Sequence, residues 1–289
     1  MYGWIILDKA SNVFSRTAGA RVARLFGVKK FGHIGTLDPM ATGVLPIALG
    51  DATKMIPFVE NANGGTKKYL FSVQFGWETD TLDITGQQTQ RNDIIPTDEQ
   101  IKNAVSGFVG DILQVPPVFS AVHVNGVRAY KMARAGNDIE LPARNVHIYE
   151  LKYRGFNGTS WDFSVRCSTG TYVRSIARDI AKKCGALATV DMIRRTYTNG
   201  FDIKNAVTLD FLENLVNNGA DIEKYLMPLD LGLGDIPVLD LDDKDTAFYK
   251  NGGFIKVATS DGLVRVYNNN EFVGIGVVKN KQLRPKRTI

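Results

Sequence analysis

The sequence predicts an α+β fold with a mixed, largely antiparallel central sheet, flanking helices and a small β-rich module at the C-terminal end. Several runs alternate apolar and polar side chains with the period of two that strands show. Two Asn-Gly pairs, at residues 125–126 and 157–158, lie between β-prone runs and are typical of hairpin turns. Helical stretches do not alternate regularly with strands, which disfavours a doubly wound parallel sheet.

The first half of the chain divides into elements with clear patterns. Residues 2–7 form an apolar run that predicts a buried strand, and residues 14–27 carry apolar side chains at helical spacing. An apolar run at residues 44–49 precedes a short helix predicted over residues 52–59. Residues 69–77 alternate strictly and therefore predict a strand with one buried face.

The second half begins with a helix start. Thr97 followed by Gln100 forms a capping-box pattern, which predicts a helix that continues through Phe108. Residues 161–167 alternate as a strand does, and residues 172–183 place apolar side chains on one helical face.

A shift in composition near residues 228–237, rich in Pro, Gly and Leu, predicts a boundary between two domains. We assign residues 1–233 to a large domain and residues 234–289 to a small β-rich module. The last eleven residues, KNKQLRPKRTI, hold five Lys or Arg and no acid. Such a segment is either a solvated tail or a contact for phosphate groups, and both interpretations stay open.

Composition restricts the class of protein. The chain has 289 residues, 44% hydrophobic and 22% charged, which is typical of globular proteins. A net charge of +5 fits a polyanionic partner or simply a basic enzyme. Two cysteines without CxxC spacing and three scattered histidines predict neither a disulfide framework nor a metal site, and they fit a reducing cytoplasm. No apolar run reaches membrane-spanning length, and the N-terminus does not read as a signal peptide.

The most informative segment is residues 32–46, GHIGTLDPMATGVLP. Asp38 is its only acidic residue, and three glycines and two prolines restrict the backbone around it. A carboxylate held rigidly among apolar residues is suited to act as a nucleophile or to move a proton. A tight turn in which Asp38 caps its own backbone explains the composition equally well.

Three other side chains could act together with Asp38. The segment STGTYVRSIARDI, residues 168–180, enters a helix that carries Tyr172 and Arg174, and an arginine beside a carboxylate favours its ionised form. Tyr69 has a ring that can stack on a heterocycle and a hydroxyl that can form hydrogen bonds. His33 lies close to Asp38 in the sequence. Taken singly, each residue is also compatible with ordinary packing or a solvated face.

Between residues 3 and 201 the chain resembles the bacterial tRNA pseudouridine synthases that act on uridine 55 of the T-arm. The motifs that carry the resemblance follow the family's order: GWIILDKASN, GHIGTLDPMATGVLPIALGDATK, KKYLFSVQFGWETDTLDITG, VPPVFSAVHVNGVRAYKMARAG, STGTYVRSIARDI and IRRTYTNGF. The resemblance implies a pseudouridine synthase fold for the large domain, with a substrate-clasping insertion at about residues 115–145. It also implies a PUA-like RNA-binding module at residues 234–289.

The resemblance implies a reaction as well. The N1–C1′ bond of a uridine breaks, the base rotates, and C5 joins the sugar, without cofactor or metal. Asp38 would be the catalytic carboxylate, attacking C6 of the base or assisting at the ribose. Arg174 would be its ion-pair partner and Tyr69 the aromatic that stacks on the base. Tyr172 and Ile193 would line the uracil pocket.

Further roles concern the RNA, which must present its uridine flipped out of the T-loop. By resemblance His33 would fill the gap left by the uridine. Lys9, Lys67, Lys68 and the basic C-terminal segment are candidate phosphate contacts, and Asp80 is a further candidate substrate contact. The partner would be the T-arm stem-loop of tRNA, bound by a monomer.

The chain departs from the family pattern at some positions. Ala10, Ser11 and Asn12 stand where Pro and Gly usually follow the lysine, and Phe119 and His123 stand where Tyr and Lys are common.

Two alternatives use the same residues. A glycosidase could pair Asp38 with Asp80 or Asp83, although these two more simply cap a turn. An RNA-binding or RNA-chaperone protein without chemistry would share the basic surface.

Overall fold

A computed structural model describes residues 2–124, 126–137 and 139–289. Its strands are β1 (Gly3–Lys9), β2 (Phe31–His33), β3 (Thr42–Leu49), β4 (Lys67–Phe75), β5 (Trp77–Thr79), β6 (Gln88–Arg91), β7 (Gly110–Gln114), β8 (His123–Val124), β9 (Val127–Arg128), β10 (Arg144–Phe156), β11 (Trp161–Cys167), β12 (Ala188–Thr198), β13 (Phe201–Asp202), β14 (Val207–Thr208), β15 (Val238–Asp240), β16 (Ile255–Lys256), β17 (Gly262–Asn268), β18 (Glu271–Lys279) and β19 (Gln282–Thr288). Its α-helices are α1 (Ser15–Leu25), α2 (Ile56–Asn61), α3 (Asp98–Ser106), α4 (Ala129–Arg134), α5 (Val173–Lys183), α6 (Leu209–Asn217) and α7 (Asp243–Lys250). None of the helices in these ranges is long and apolar enough to cross a membrane.

The central sheet contains ten strands, and its main path runs β14-β1-β3-β12-β4-β11-β10-β7. β2 pairs with β3, and β13 pairs with β12. The pairs β1–β14 and β3–β12 are parallel, whereas the other pairs in this sheet are antiparallel. The prediction of a mixed, largely antiparallel sheet is therefore confirmed.

Local sequence signals explain several of these elements. The predicted capping box at the start of α3 is present, since the Thr97 hydroxyl accepts from the Gln100 N–H and the Gln100 side chain accepts from the Thr97 N–H. The pair Asn157-Gly158 lies in the turn between β10 and β11, as predicted. In the other predicted hairpin, Asn125 lies outside the described residues, and the antiparallel strands β8 and β9 flank it.

Alternation along β4 determines how the main core forms. Tyr69, Phe71, Val73 and Phe75 all point toward the face that α5 covers, because alternate side chains of a strand lie on one face. The apolar side of α5 packs against them. The first turn of α5 and the first residues of β4, Lys67 and Tyr69, line the same cleft, where the candidate site lies.

The opposite face of the sheet carries a second apolar cluster. Trp4 and Ile6 of β1 point into it, whereas Ile5 and Leu7 of the same strand point into the main core. The Trp4 indole N–H donates to the Leu229 carbonyl at 2.9 Å. The segment that follows α6 is thereby bound to the first strand.

Residues 238–288 contain a second, five-stranded sheet with the order β15-β17-β18-β19-β16. It encloses its own apolar cluster, and Ile275 on its other side joins the cluster around Trp4. The basic C-terminal segment is not a solvated tail, because residues 282–288 form strand β19 between β18 and β16. Its alternation leaves Arg284 and Lys286 exposed while Leu283 is buried.

Candidate active site

Asp38 lies in the loop that joins β2 to β3, and side chains from the start of the chain hold this loop. Ser15 exchanges two hydrogen bonds with the Leu37 backbone, each 2.9 Å long. On the other side of Asp38, the Lys9 ammonium donates to the Pro39 carbonyl at 3.0 Å. The Ala41 N–H donates to the Asp38 carbonyl at 3.1 Å and closes a tight turn. The turn predicted for Asp38 and its role at a functional site are therefore compatible.

Glycine is required where this loop approaches β12. Gly43 has a φ of +97°, and a Cβ atom placed there would lie 2.1 Å from the Arg195 carbonyl oxygen. Any side chain would push apart the parallel pair of β3 and β12. The close approach of these two strands brings the Asp38 loop over β12.

Arg174, in the first turn of α5, binds the Asp38 carboxylate. Its Nη2 lies 2.9 Å from Asp38 Oδ2, and its Nη1 lies 3.5 Å from Asp83 Oδ2. The same guanidinium donates to the carbonyls of Thr81, at 2.7 Å, and Phe119, at 3.0 Å. The arginine side chain is 4% exposed and the Asp38 side chain 40% exposed. The Arg174 guanidinium is therefore buried and fixed in direction, whereas the Asp38 carboxylate that it binds remains partly exposed to solvent.

Asp38 faces a cleft of about 290 Å³. The cleft is lined by Asp38, Tyr69, Tyr172, Arg174 and Ile193, together with Gly35, Thr36, Leu37, Ala41, Lys67, Ser120, Ala121, Gly170, Thr171 and Val173. The five residues named first come from the Asp38 loop, β4, α5 and its N-cap, and β12, so that only the tertiary fold assembles them. Burial raises the pKa of the Tyr69 hydroxyl, although the neighbouring Arg195 guanidinium opposes this effect.

Two residues predicted for the site lie elsewhere. His33, on β2, is half-buried and is not among the residues that line the cleft, and burial together with Arg195 lowers its pKa. Asp80 is exposed and accepts a hydrogen bond from the Gln87 N–H at 2.9 Å, which makes it a turn residue. The buried acid of this turn is Asp83, which both caps the turn through the Thr85 N–H, at 3.0 Å, and approaches Arg174.

The three predicted phosphate contacts differ in their surroundings. Lys9 is 1% exposed, and its ammonium donates to the carbonyls of Ala10, Val13 and Pro39 within 3.0 Å. The expectation of a phosphate contact at Lys9 is therefore wrong, since the ammonium is used within the fold. Lys67 lines the cleft, and burial lowers its pKa to about 8. Lys68 is exposed, with its ammonium 5.2 Å from the centre of the Tyr197 ring.

Two charged residues beside the cleft have contacts that the sequence does not indicate. The sequence predicts Asp83 as a turn cap or as the second carboxylate of a glycosidase, and neither prediction includes Arg174, which lies ninety-one residues further along the chain. Arg195 is not among the predicted site residues, although it follows Ile193 by two residues and therefore shares its face of the strand. Across the described ranges, no group of three or more His, Cys, Asp or Glu side chains could hold a metal ion.

The fold is shared with chains in two solved complexes. A chain of the crystal structure of a Cbf5-Nop10-Gar1 complex superposes with a TM-score of 0.74 at 22% identity, covering 99% of this chain and 84% of that one. The structure of an H/ACA RNP bound to a substrate RNA containing 2′-deoxyuridine gives a TM-score of 0.73 at 21% identity, covering 99% and 84%. At this identity the similarity shows the common fold alone.

Sequence comparisons define the family more narrowly. The model of the TruB family pseudouridylate synthase N-terminal domain matches residues 23–173. The model of the tRNA pseudouridylate synthase B C-terminal domain matches residues 174–233, and that of the pseudouridine synthase II TruB C-terminal region matches residues 237–289. The chain belongs to the TruB family of pseudouridylate synthases.

Relatives resemble the chain over most of its length. The tRNA pseudouridine synthase B of Ehrlichia chaffeensis is 43% identical, covering 99% of both chains. That of Caulobacter vibrioides is 44% identical over 84% of this chain and 77% of its own. That of Dinoroseobacter shibae is 40% identical over 99% of this chain and 94% of its own.

Proposed function

We propose that this protein isomerises uridine to pseudouridine at position 55 in the T-loop of tRNA. The observation that carries the proposal is the Asp38 carboxylate, bound to Arg174 at 2.9 Å at the edge of a cleft that Tyr69 and Ile193 also line. Relatives that match 99% of this chain are tRNA pseudouridine synthases B. Neither the glycosidase nor the RNA-binding protein without chemistry has a comparable observation in its favour.

Asp38 is the group that acts on the nucleoside. Its ionised carboxylate either adds to C6 of the base or assists departure of the base at the ribose, and both routes require a charged oxygen that faces the cleft. Arg174 pairs with the carboxylate and fixes its orientation, because the two groups form a charge-assisted contact of 2.9 Å. Arg174 is itself held by the Thr81 and Phe119 carbonyls, so that the carboxylate is positioned before the substrate arrives.

The cleft is suited to a flipped pyrimidine. Tyr69 and Ile193 offer an aromatic and an aliphatic surface to the two faces of a flat base, and Tyr172 closes the side. Ser120 also lines the cleft, and its buried hydroxyl has no hydrogen-bond partner within the described chain. An oxygen or N–H group of uracil would satisfy it. A uridine reaches this position only when it leaves its stack in the T-loop.

The remaining contacts would be made with the RNA around the target. Lys68 and the exposed arginine and lysine side chains of β19 are suited to phosphate groups, and Lys67 to a phosphate at the mouth of the cleft. His33 would occupy the space left by the uridine, and Asp80 would accept hydrogen bonds from the RNA backbone or bases. We assign RNA binding to residues 234–289 as a PUA-like domain, and activity to a cytoplasmic monomer.

The test is incubation with an unmodified T-arm stem-loop, followed by chemical labelling specific for pseudouridine. We expect labelling at one uridine and no change in the mass of the RNA, because the reaction is an isomerisation. Asp38→Asn should bind the stem-loop and form no product. Release of free uracil would instead indicate a glycosidase, and binding by wild-type protein without labelling would indicate an RNA-binding protein.

A further inference from the structure

We propose that Arg195 is the electrostatic partner of Tyr69 and stabilises the phenolate that Tyr69 becomes while it moves a proton between C5 and N1 of the base. The inference rests on the proposed function, because it assigns a positioning residue to that reaction.

Arg195 is the cross-strand neighbour of Tyr69. The antiparallel pair of β12 and β4 places these two residues directly opposite each other, so their side chains leave the sheet on the same face, about 5 Å apart at Cβ. The Arg195 side chain is 1% exposed. Its Nε donates to the Val44 carbonyl at 2.7 Å, which fixes its direction, and its guanidinium faces the Tyr69 side chain across the strand pair.

The guanidinium of Arg195 pairs with no carboxylate among the residues that the structure describes. Other arginines of the chain do form such pairs: Arg21, Arg91, Arg174, Arg178, Arg194 and Arg265. A buried charge normally requires a counter-charge. Nη2 of Arg195 is also buried and has no hydrogen-bond partner in the described part of the chain.

The other titratable groups around this pair increase the need for an anion. Lys9, His33 and Lys67 all lie near Arg195, and the guanidinium contributes to the lowering of the pKa of each. Asp38 and Cys167 face Tyr69. Asp38 is already bound to Arg174. Among these groups, Tyr69 is the acid that lies directly opposite Arg195, where it can supply a negative charge.

The net reaction explains why a proton carrier is needed. In uridine C5 bears a hydrogen and N1 bears the sugar, whereas in pseudouridine C5 bears the sugar and N1 bears a hydrogen. One C–H bond breaks and one N–H bond forms, whichever route Asp38 takes. The Tyr69 phenol donates its proton to N1 and becomes phenolate. The phenolate then takes the proton from C5, and the electron pair of that C–H bond restores the C5–C6 double bond.

The resting state fits this order of events. Burial raises the pKa of Tyr69, so the free enzyme holds a neutral phenol with a proton to give. A guanidinium has donors only, so the phenol hydrogen cannot point toward Arg195 and is left to point elsewhere. When the phenol loses its proton, the adjacent cation stabilises the new charge without rearrangement.

The test compares Arg195→Met with Arg194→Met in single-turnover reactions on a T-arm stem-loop that carries uridine or 5-deuterouridine at the target. Arg194 is the matched control, because it neighbours Arg195 on β12 but points to the other face and pairs with Asp8 at 2.7 Å. We expect Arg195→Met to lose roughly 100-fold in rate and Arg194→Met to stay close to wild type. The deuterium isotope effect should be larger in Arg195→Met than in wild type, because C5–H cleavage becomes the slow step.

Two further variants separate this role from a structural one. Arg195→Lys keeps a cation and should recover much of the rate; it also carries the isotope test if Arg195→Met does not fold. The double variant Tyr69→Phe with Arg195→Met should have nearly the same single-turnover rate as Tyr69→Phe alone, because the cation acts through the phenol. A lower rate with an unchanged isotope effect, or losses that multiply in the double variant, would overturn the inference. Failure of the wild-type protein to form pseudouridine would instead overturn the proposed function.

Discussion

Arg174 binds the Asp38 carboxylate at 2.9 Å and is ten times less exposed than its partner, at 4% against 40%. The cation belongs to the interior and the anion to the cleft. The same guanidinium approaches the buried Asp83 at 3.5 Å, so that one arginine pairs with one exposed and one buried carboxylate. Asp38 faces the cleft, and Asp83 compensates the positive charge inside the protein.

The first prediction separates these two functions of Arg174. Arg174→Met leaves Asp83 buried without a counter-charge, so we expect the free energy of unfolding to fall by about 3 kcal/mol and turnover to be largely lost. Adding Asp83→Asn removes the unpaired charge and should restore most of the stability but none of the activity. Urea unfolding and single-turnover assays measure the two effects. Equal stability of the single and double variants would show that Asp83 does not depend on Arg174.

The second prediction contrasts two lysines. Lys9→Met removes three hydrogen bonds to backbone carbonyls, one of them at Pro39 beside Asp38. We expect lower stability by about 2 kcal/mol, a slower chemical step and an unchanged salt dependence of tRNA affinity. Lys68→Ala should leave the stability and the chemical step unchanged and should reduce the salt slope of tRNA affinity by about 1. A smaller salt slope for Lys9→Met would mean that its ammonium reaches a phosphate after all.

The third prediction concerns pH. Burial lowers the pKa of Lys67 from 10.5 to about 8 in the folded protein. Between these values the unfolded chain binds a proton that the folded chain has released, so Lys67 makes stability increase with pH in this window. Lys67→Met should flatten the increase by up to about 1.4 kcal/mol per pH unit. Urea unfolding from pH 8 to pH 10 measures the slope, with exposed Lys68→Met as the control that leaves it unchanged.

The fourth prediction addresses the second sheet. Deleting β19 would break its pairing with β18 and β16, so charge substitutions are the cleaner change. The double variant Arg284→Gln with Lys286→Gln should weaken tRNA binding and reduce the salt slope of binding by about 2. The rate constant for conversion of bound RNA should stay unchanged.

Lys244→Gln with Lys250→Gln, on α7 of the same module, removes the same charge from another surface. A similar loss of affinity in this control would attribute the effect to net charge and would exclude a specific contact by β19.

Several parts of the architecture could be predicted because their signals are local. Alternation in β4, the capping box at Thr97 and the Asn157-Gly158 turn each depend on residues within one element, and the structure contains all three. Motif resemblance indicated Asp38, Arg174 and Tyr69 as site residues, and these three do line one cleft.

The sequence by itself determined several main elements, the class of fold and the residue types of the site, since local periodicity and short motifs encode them. The tertiary structure alone decided which charges meet. In the folded protein Asp83, and not Asp80, approaches Arg174, and Lys9 is buried. The basic C-terminal segment forms a strand of the second sheet, and Arg195 lies opposite Tyr69. The physical reason is that the environment of a charge depends on strands and loops that are distant in the chain, and burial determines whether a side chain supports the fold or contacts a ligand.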